Sequence, residues 1–183
     1  MNIAVNLYGG GVCCRPDTTM DRENRDFYSP DFSGGLMYSP VLFARISKAG
    51  RCVAEKFAGR YYDSVGYGIL MYPAALMDDI AWASCIDRTS RLPFPMYNRI
   101  TLGQEDNFFR LFRDGEEIYC TNGGSESMIE KAIARITGYM SLRTGDLIAA
   151  ELEKPSVLVA EAAARTEVRA TFCENELFRF SIV

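Results

Sequence analysis

The sequence predicts an α+β domain in which strands outnumber helices, and three observations carry the prediction. FFRLFRDGEEIYC (108–120) is a pair of apolar-alternating runs joined by Asp114 and Gly115, a dipeptide that supplies the positive backbone angles of a tight hairpin turn. Ser127 and Glu130 have the Ser-x-x-Glu spacing of a capping box, and Ile129, Ala132, Ile133 and Ile136 recur behind it as one apolar helical stripe. Short apolar runs bounded by Gly, Pro, Asn and Asp fill much of the remaining chain.

In chain order, Met1 to Tyr8 alternates as a strand and is broken at Gly9 to Gly11. A strand followed by glycines invites a dinucleotide reading, but GGGVCC lacks the third glycine, and Pro16 with Asp17 ends any helix opening there. From about 15 to 40 charges, Pro, Ser and Gly crowd without a period, so a loop or mobile arm is expected. VLFARIS after Pro40 is a short strand. SVGYGILMY is another, with Val65, Tyr67, Ile69 and Met71 on a buried face and Gly66 and Gly68 allowing close approach on the other. Asp78 and Asp79 precede an apolar segment through Trp82 and Ile86, where they suit a helix start. After the capped helix, which Gly138 weakens at its end, LIAAELE, SVLVAEA, EVRATF and LFRFSIV are strand candidates. Glu174 and Asn175 are the expected turn between the last two, and AEAAAR is an alternative helical extension.

A chain of 183 residues is the size of one domain, expected to span 1–183, and its net charge of -4 gives no general attraction to nucleic acid or anionic membrane. It has no apolar run of membrane-helix length and no signal-peptide pattern, so a cytoplasmic location is expected. The six cysteines lack Cys-x-x-Cys spacing and are expected to be reduced thiols rather than zinc ligands. Histidine is absent, which excludes His-assisted nucleophilic catalysis and imidazole-ligated metals.

The block DGEEIYCTNGGSESMIEKAIARITGYMSLRTGDLI (114–148) runs hairpin, helix and Gly-Asp turn in immediate succession. In that order it resembles the late part of the fumarylacetoacetate hydrolase (FAH) family's C-terminal catalytic domain. The resemblance implies an FAH-like mixed β-roll of coiled antiparallel sheets with a few short helices. It also implies a homodimer or other homo-oligomer, and divalent-metal chemistry with Mg or Mn on 2-oxo and β-diketo acids. CIDRTSRLPF resembles the family's NDVSARD motif, which sets Asp87 on a family metal ligand and Arg91 on the arginine that follows it.

The same comparison shows where the chain departs from the pattern. YYDSVGYGILMY stands where the family carries a Glu-x-Glu, so Ser64 and Gly66 replace two carboxylates that a strand would aim at one ion. Gly145, Asp146 and Ile148 keep a Gly-Asp-x-Ile core, but AAELE follows where the family has Thr-Gly-Thr-Pro. Asp87 is thus the only surviving family ligand position. The expected protein is a divergent FAH-fold form, a pseudoenzyme without a metal cofactor. It would bind a small organic acid through Lys48, Arg88, Arg91 and Thr121, or serve as an oligomer subunit; neither nucleic acid nor membrane is expected as a partner. The alternative is an active hydrolase, isomerase or decarboxylase of such acids, with Mg or Mn held in a rearranged site drawn from Asp63, Glu55 or Asp78 beside Asp87.

Overall fold

The structure, a computed structural model, describes residues 1–160 and 165–183. It is strand-rich, with two sheets rolled around a shared core. The larger sheet contains β1 (Ile3–Asn6), β2 (Val12–Arg15), β3 (Leu36–Ile46), β4 (Tyr62–Pro73), β5 (Ser90–Arg91), β8 (Leu147–Glu151) and β9 (Ser156–Val159). Its order is β2-β1-β8-β3-β4-β5, with β9 paired to the start of β3. Within it β1 and β8 run parallel, while the other pairs are antiparallel. The smaller sheet has the order β11-β10-β6-β7, formed by β6 (Phe109–Arg113), β7 (Glu116–Thr121), β10 (Thr166–Phe172) and β11 (Asn175–Ile182).

The hairpin is as the sequence predicts. Asp114 and Gly115 have φ of 50° and 85°, the two left-handed angles of a type I′ connection. The last hairpin turns one residue earlier than expected, at Cys173 and Glu174, which both take positive φ, and Asn175 pairs with Phe172 as the first residue of β11. The centre of the expected AEAAAR extension, residues 161–164, lies outside the described residues.

The main helix also starts earlier than the capping box predicts. Alongside two single-turn helices, α1 (Glu55–Ala58) and α2 (Ile80–Ala83), the helix α3 spans Glu126–Thr137, and Ser125, not Ser127, is its extended N-cap residue, without a side-chain capping bond. A tertiary contact sets this start: the Gly124 amide donates to the Tyr67 hydroxyl at 3.1 Å, and a Cβ at Gly124 would collide with that oxygen. Asp79 caps α2 by accepting from the Trp82 amide at 3.1 Å, the role its position predicts. No helix among the described residues is long and apolar enough to cross a membrane.

Between the sheets, Tyr67 stacks on Phe109 at 5.1 Å and meets Phe172 at 4.9 Å, while Ile129, Ala132, Ile133 and Ile136 of α3 close the same core. The predicted stripe therefore faces inward. Strand β4 is buried on both sides rather than one, because Leu70 and Tyr72 enter a second apolar cluster with Phe43, Val41, Leu92 and Leu147 on the outer face of the larger sheet. A central strand with both faces covered shows no clean alternation of polar residues.

Residues 16–35 first meet that outer face, where Met20 packs, and then reach the smaller sheet, where Phe27 bonds Ser181 and Val183 and enters the shared core. They include two short 3-10 turns, at Asp17–Thr19 and Asp31–Ser33, and bury Thr19, Asp21, Phe27 and Ser33. Strand β3 begins at Leu36, so Pro40 lies inside it instead of starting it.

Candidate functional site

Strand β4 organises the region where the family resemblance places its chemistry. Ser64 donates to Asp63 Oδ1 at 2.7 Å, and Arg45 holds the same carboxylate from β3 through Nε at 3.2 Å and Nη2 at 3.0 Å. Partial burial alone would raise the Asp63 carboxyl, but the bonds from Arg45 and Ser64 outweigh it and hold its pKa below the ordinary value. Gly66 is roofed by hydrocarbon: a Cβ there would lie 2.7 Å from Phe43 Cζ, so even alanine would force the ring aside. Gly68 meets the Arg91 carbonyl in the same way. The close approach predicted at both glycines is present, and at Gly66 it fills the space a carboxylate would need.

Asp87 stands far from these positions. The β4–β5 register puts Ser90 opposite Leu70, and the Met71 amide bonds the Thr89 carbonyl, seven residues along β4 from Ser64. At a strand's rise of ~3.3 Å per residue that is on the order of 20 Å, and the two residues from Thr89 back to Asp87 cannot span it. Asp87 is exposed and its neighbour Arg88 takes a φ of 61°. The segment that does reach this end of β4 is near Tyr97, which exchanges backbone bonds with Val65 at 2.8 and 2.9 Å. That segment, Met96-Tyr97-Asn98, brings no carboxylate.

A divalent cation of the Mg or Mn type takes several hard oxygen ligands, usually with at least one carboxylate. Among the described residues no three Asp, Glu, Cys or His side chains gather closely enough to supply such a set. The donor set at Ser64 and Gly66, one hydroxyl already bonded to Asp63 and one glycine under a phenyl ring, does not fit the ion.

The four predicted ligand residues are dispersed. Lys48 is exposed, with Nζ 5.3 Å from the Tyr61 ring centroid. Thr121 closes β7 in the other sheet and accepts from the Gly123 amide at 3.0 Å. Arg88 donates its backbone amide to the Thr18 carbonyl at 3.2 Å.

Arg91 is a core residue, 1% exposed. Its guanidinium lies 3.8 Å above the Phe180 ring, donates to the Arg25 carbonyl at 3.0 Å and stands 3.3 Å from Asp21 Oδ2. Burial lowers its pKa to about 10 despite the opposing pull of Asp21. Phe180 and Asp21 thus take up the faces and charge that an incoming acid would use.

Sequence reasoning missed a second buried guanidinium. Arg15 donates from Nη1 to the Thr89 carbonyl and the Ser90 hydroxyl, at 3.1 and 2.9 Å, and from Nη2 to the Met71 carbonyl at 2.7 Å. It also stacks over Tyr72 at 4.7 Å. Tyr72 in turn donates to Glu151 at 2.7 Å, and the other Glu151 oxygen accepts the Tyr8 amide at 2.9 Å. Burial lowers the Arg15 pKa and raises that of Tyr72 well above its ordinary value. Glu151 belongs to the AAELE stretch read as a broken substrate motif, and here it ties β8 to β4 and to the turn after β1. A carboxylate inside an apolar strand run was the available signal, because buried carboxylates are nearly always bonded.

One open groove of about 520 Å³ lies where α3 begins, lined by Arg99, Ile100, Gln104, Ser125, Glu126 and Ser127 among others. Its charges are already matched. Arg99 pairs with Glu126 at 3.3 Å and donates to the Gly59 carbonyl at 3.0 Å, while Tyr62 donates to Glu126 at 3.2 Å. Burial and then the Glu126 charge push the Tyr62 hydroxyl up to about 12. A ligand acid entering here would have to displace Glu126 from Arg99.

By sequence, neither a family model nor a curated protein matches the chain. By structure, the whole chain superposes on a protein of Yersinia pestis assigned to the fumarylacetoacetate hydrolase family, with TM-score 0.80, 12% identity and 92% of that chain covered. It also superposes on the fumarylpyruvate hydrolase of Pseudomonas aeruginosa solved with Mn²⁺ and pyruvate, with TM-score 0.77, 15% identity and 88% covered. A third, 5-carboxymethyl-2-hydroxymuconate delta-isomerase of Mycobacterium smegmatis, gives TM-score 0.79 at 14% identity with 78% covered. Two rolled sheets in this order, reached without detectable sequence kinship, carry one conclusion: the chain has the fold of the fumarylacetoacetate hydrolase family.

Proposed function

We propose that this chain is an FAH-fold protein that works by binding, as a carrier of a small organic acid or as the subunit of an assembly, without metal-dependent chemistry at the β4 position. One observation supports this above the others. At the two places on β4 where the resemblance sets carboxylates, Ser64 is occupied by Asp63 and Gly66 is covered by Phe43. The expected third ligand, Asp87, lies toward the other end of the strand. Dispersal of Lys48, Arg91 and Thr121 supports the assembly role over a dedicated acid pocket.

Titration calorimetry with Mn²⁺ and Mg²⁺, alone and with oxalate or pyruvate, tests the reading. No heat above dilution is expected, and micromolar metal affinity would overturn it.

A second reading has its own support. Asp63 is held ionised beside Ser64, and three solved neighbours bear hydrolase or isomerase names, one of them bound to Mn²⁺ and pyruvate. An active enzyme with a rearranged site at Asp63 would turn over acylpyruvates or oxaloacetate in a metal-dependent way, and Asp63→Asn would abolish the activity. Absence of turnover across those acids with both metals would exclude it.

A further inference from the structure

The sequence around α1 places four cations within thirteen residues, Lys48, Arg51, Lys56 and Arg60, with Glu55 as the only acid among them. Folding joins a fifth. Gly50 and Leu142 exchange backbone bonds at 2.8 and 3.1 Å, which brings Arg143 beside Lys48 and Arg51. Ser47 bonds the Tyr61 carbonyl at 2.8 Å, which continues the surface to Arg60.

All five cations are exposed, and among the described residues none has a carboxylate within 4 Å. Elsewhere on the surface Arg45, Arg99, Arg110, Arg165 and Arg179 each have an acidic partner, while Arg22, Lys131, Arg135 and Lys154 have none among the described residues. Aromatic rings order this face instead. Lys56 and Arg60 flank the Phe57 ring at 5.0 and 5.3 Å, and Lys48 lies over Tyr61 at 5.3 Å. Counting Glu55 and Glu130, whose carboxylate lies against Gly59, the face carries +3 and leaves -7 on the rest of a chain whose net charge is -4.

We propose that this face is a docking surface for an acidic segment of a partner protein. Carboxylates on a short peptide can engage guanidinium forks directly. The Phe57 and Tyr61 rings already have cations near them, at 5.0 to 5.3 Å, which a stacking base would have to move. A long polyanion would also meet the opposite charge balance of the remaining surface. The inference stands apart from the reading of β4 and survives if that reading fails.

The test is fluorescence anisotropy on the full chain with a labelled peptide of alternating Glu and Asp, with oligo-dT as the competing probe. Binding is expected to weaken roughly tenfold between about 50 and about 300 mM NaCl, as screened surface charges do. The Lys56→Glu and Arg60→Glu pair should weaken it at least about tenfold with melting temperature unchanged, whereas Lys154→Glu with Arg22→Glu should leave it intact. Absence of peptide binding at low salt, equal loss in both double variants, or tighter binding of oligo-dT would each overturn the proposal.

Discussion

Replacing Arg91 with methionine separates a structural guanidinium from a ligand-binding one. The change removes the 3.0 Å bond to the Arg25 carbonyl and the 3.3 Å pairing with Asp21, whose side chain is 0% exposed. Stripping one partner from a buried pair costs about 3–5 kcal/mol, chiefly because the other charge is left uncompensated. Two contributions reduce that figure. Arg91 Nε has no hydrogen-bond or ion-pair partner, so its removal relieves a penalty of about 1–3 kcal/mol, and methionine sulfur can replace part of the contact with Phe180.

The expected net loss is about 2–4 kcal/mol, which for a chain of this size lowers the melting temperature by roughly 5–15 °C. Adding Asp21→Asn neutralises the stranded carboxylate while keeping an acceptor for the Glu23 amide, which Asp21 Oδ1 binds at 2.8 Å. The double variant should therefore recover about 1–3 kcal/mol relative to Arg91→Met alone. Thermal and urea unfolding followed by circular dichroism measure both. If Arg91→Met stays within about 1 kcal/mol of the parent, or the second change gives no recovery, the reasoning is refuted.

Three further outcomes follow from the same geometry. Gly66→Glu should destabilise the fold by about 1–3 kcal/mol by driving into Phe43 and should not create Mn²⁺ affinity in calorimetry; a stable, metal-binding variant would contradict the packing described. Tyr72→Phe should cost about 1–3 kcal/mol by taking the 2.7 Å donor from buried Glu151, read in urea unfolding, and a neutral result would show that Glu151 is satisfied in another way. Burial pushes the Tyr67 hydroxyl up to about 12, so the folded chain keeps a proton that the unfolded chain loses near 10. Stability is therefore fully present below pH ~10 and declines as pH rises toward ~12, with up to about 3 kcal/mol from this group. Denaturation midpoints measured across that window should decline less steeply in Tyr67→Phe, with Tyr62 and Tyr72 contributing the remainder, and an unchanged slope would remove Tyr67 as a cause.

What the sequence made legible is what local chemistry decides. Asp114-Gly115 sets its own turn, and the Ile129 to Ile136 stripe can face only a core. The start of α3 was misplaced because a hydroxyl 57 residues away, on Tyr67, chooses it. Strand β2 was missed because Cys13, Cys14 and Arg15 look like loop residues until β1 pairs with them, and Arg15 finds its acceptors only when β4 and β5 are in place. At the candidate site the identities of Ser64 and Gly66 can be read directly from the sequence, and the packing of Phe43 over Gly66 cannot. Its spatial relation to Asp87 was not, because that depends on the β4–β5 register, which is fixed by pairing between segments distant in sequence.

The parallel pairing of β1 with β8 has a consequence for how the chain is made. Ile3 to Asn6 find their partners at Leu147 to Ala150, and the Asn2 amide bonds Asp146, 144 residues downstream. A nascent chain emerging N-terminus first must therefore hold an apolar strand without its mate until Leu147 to Ala150 have been made. Long-range pairing of this kind is slow and leaves sticky surface waiting. During that interval the local partner within reach of the segment is Val12–Arg15, which pairs with it as an antiparallel hairpin.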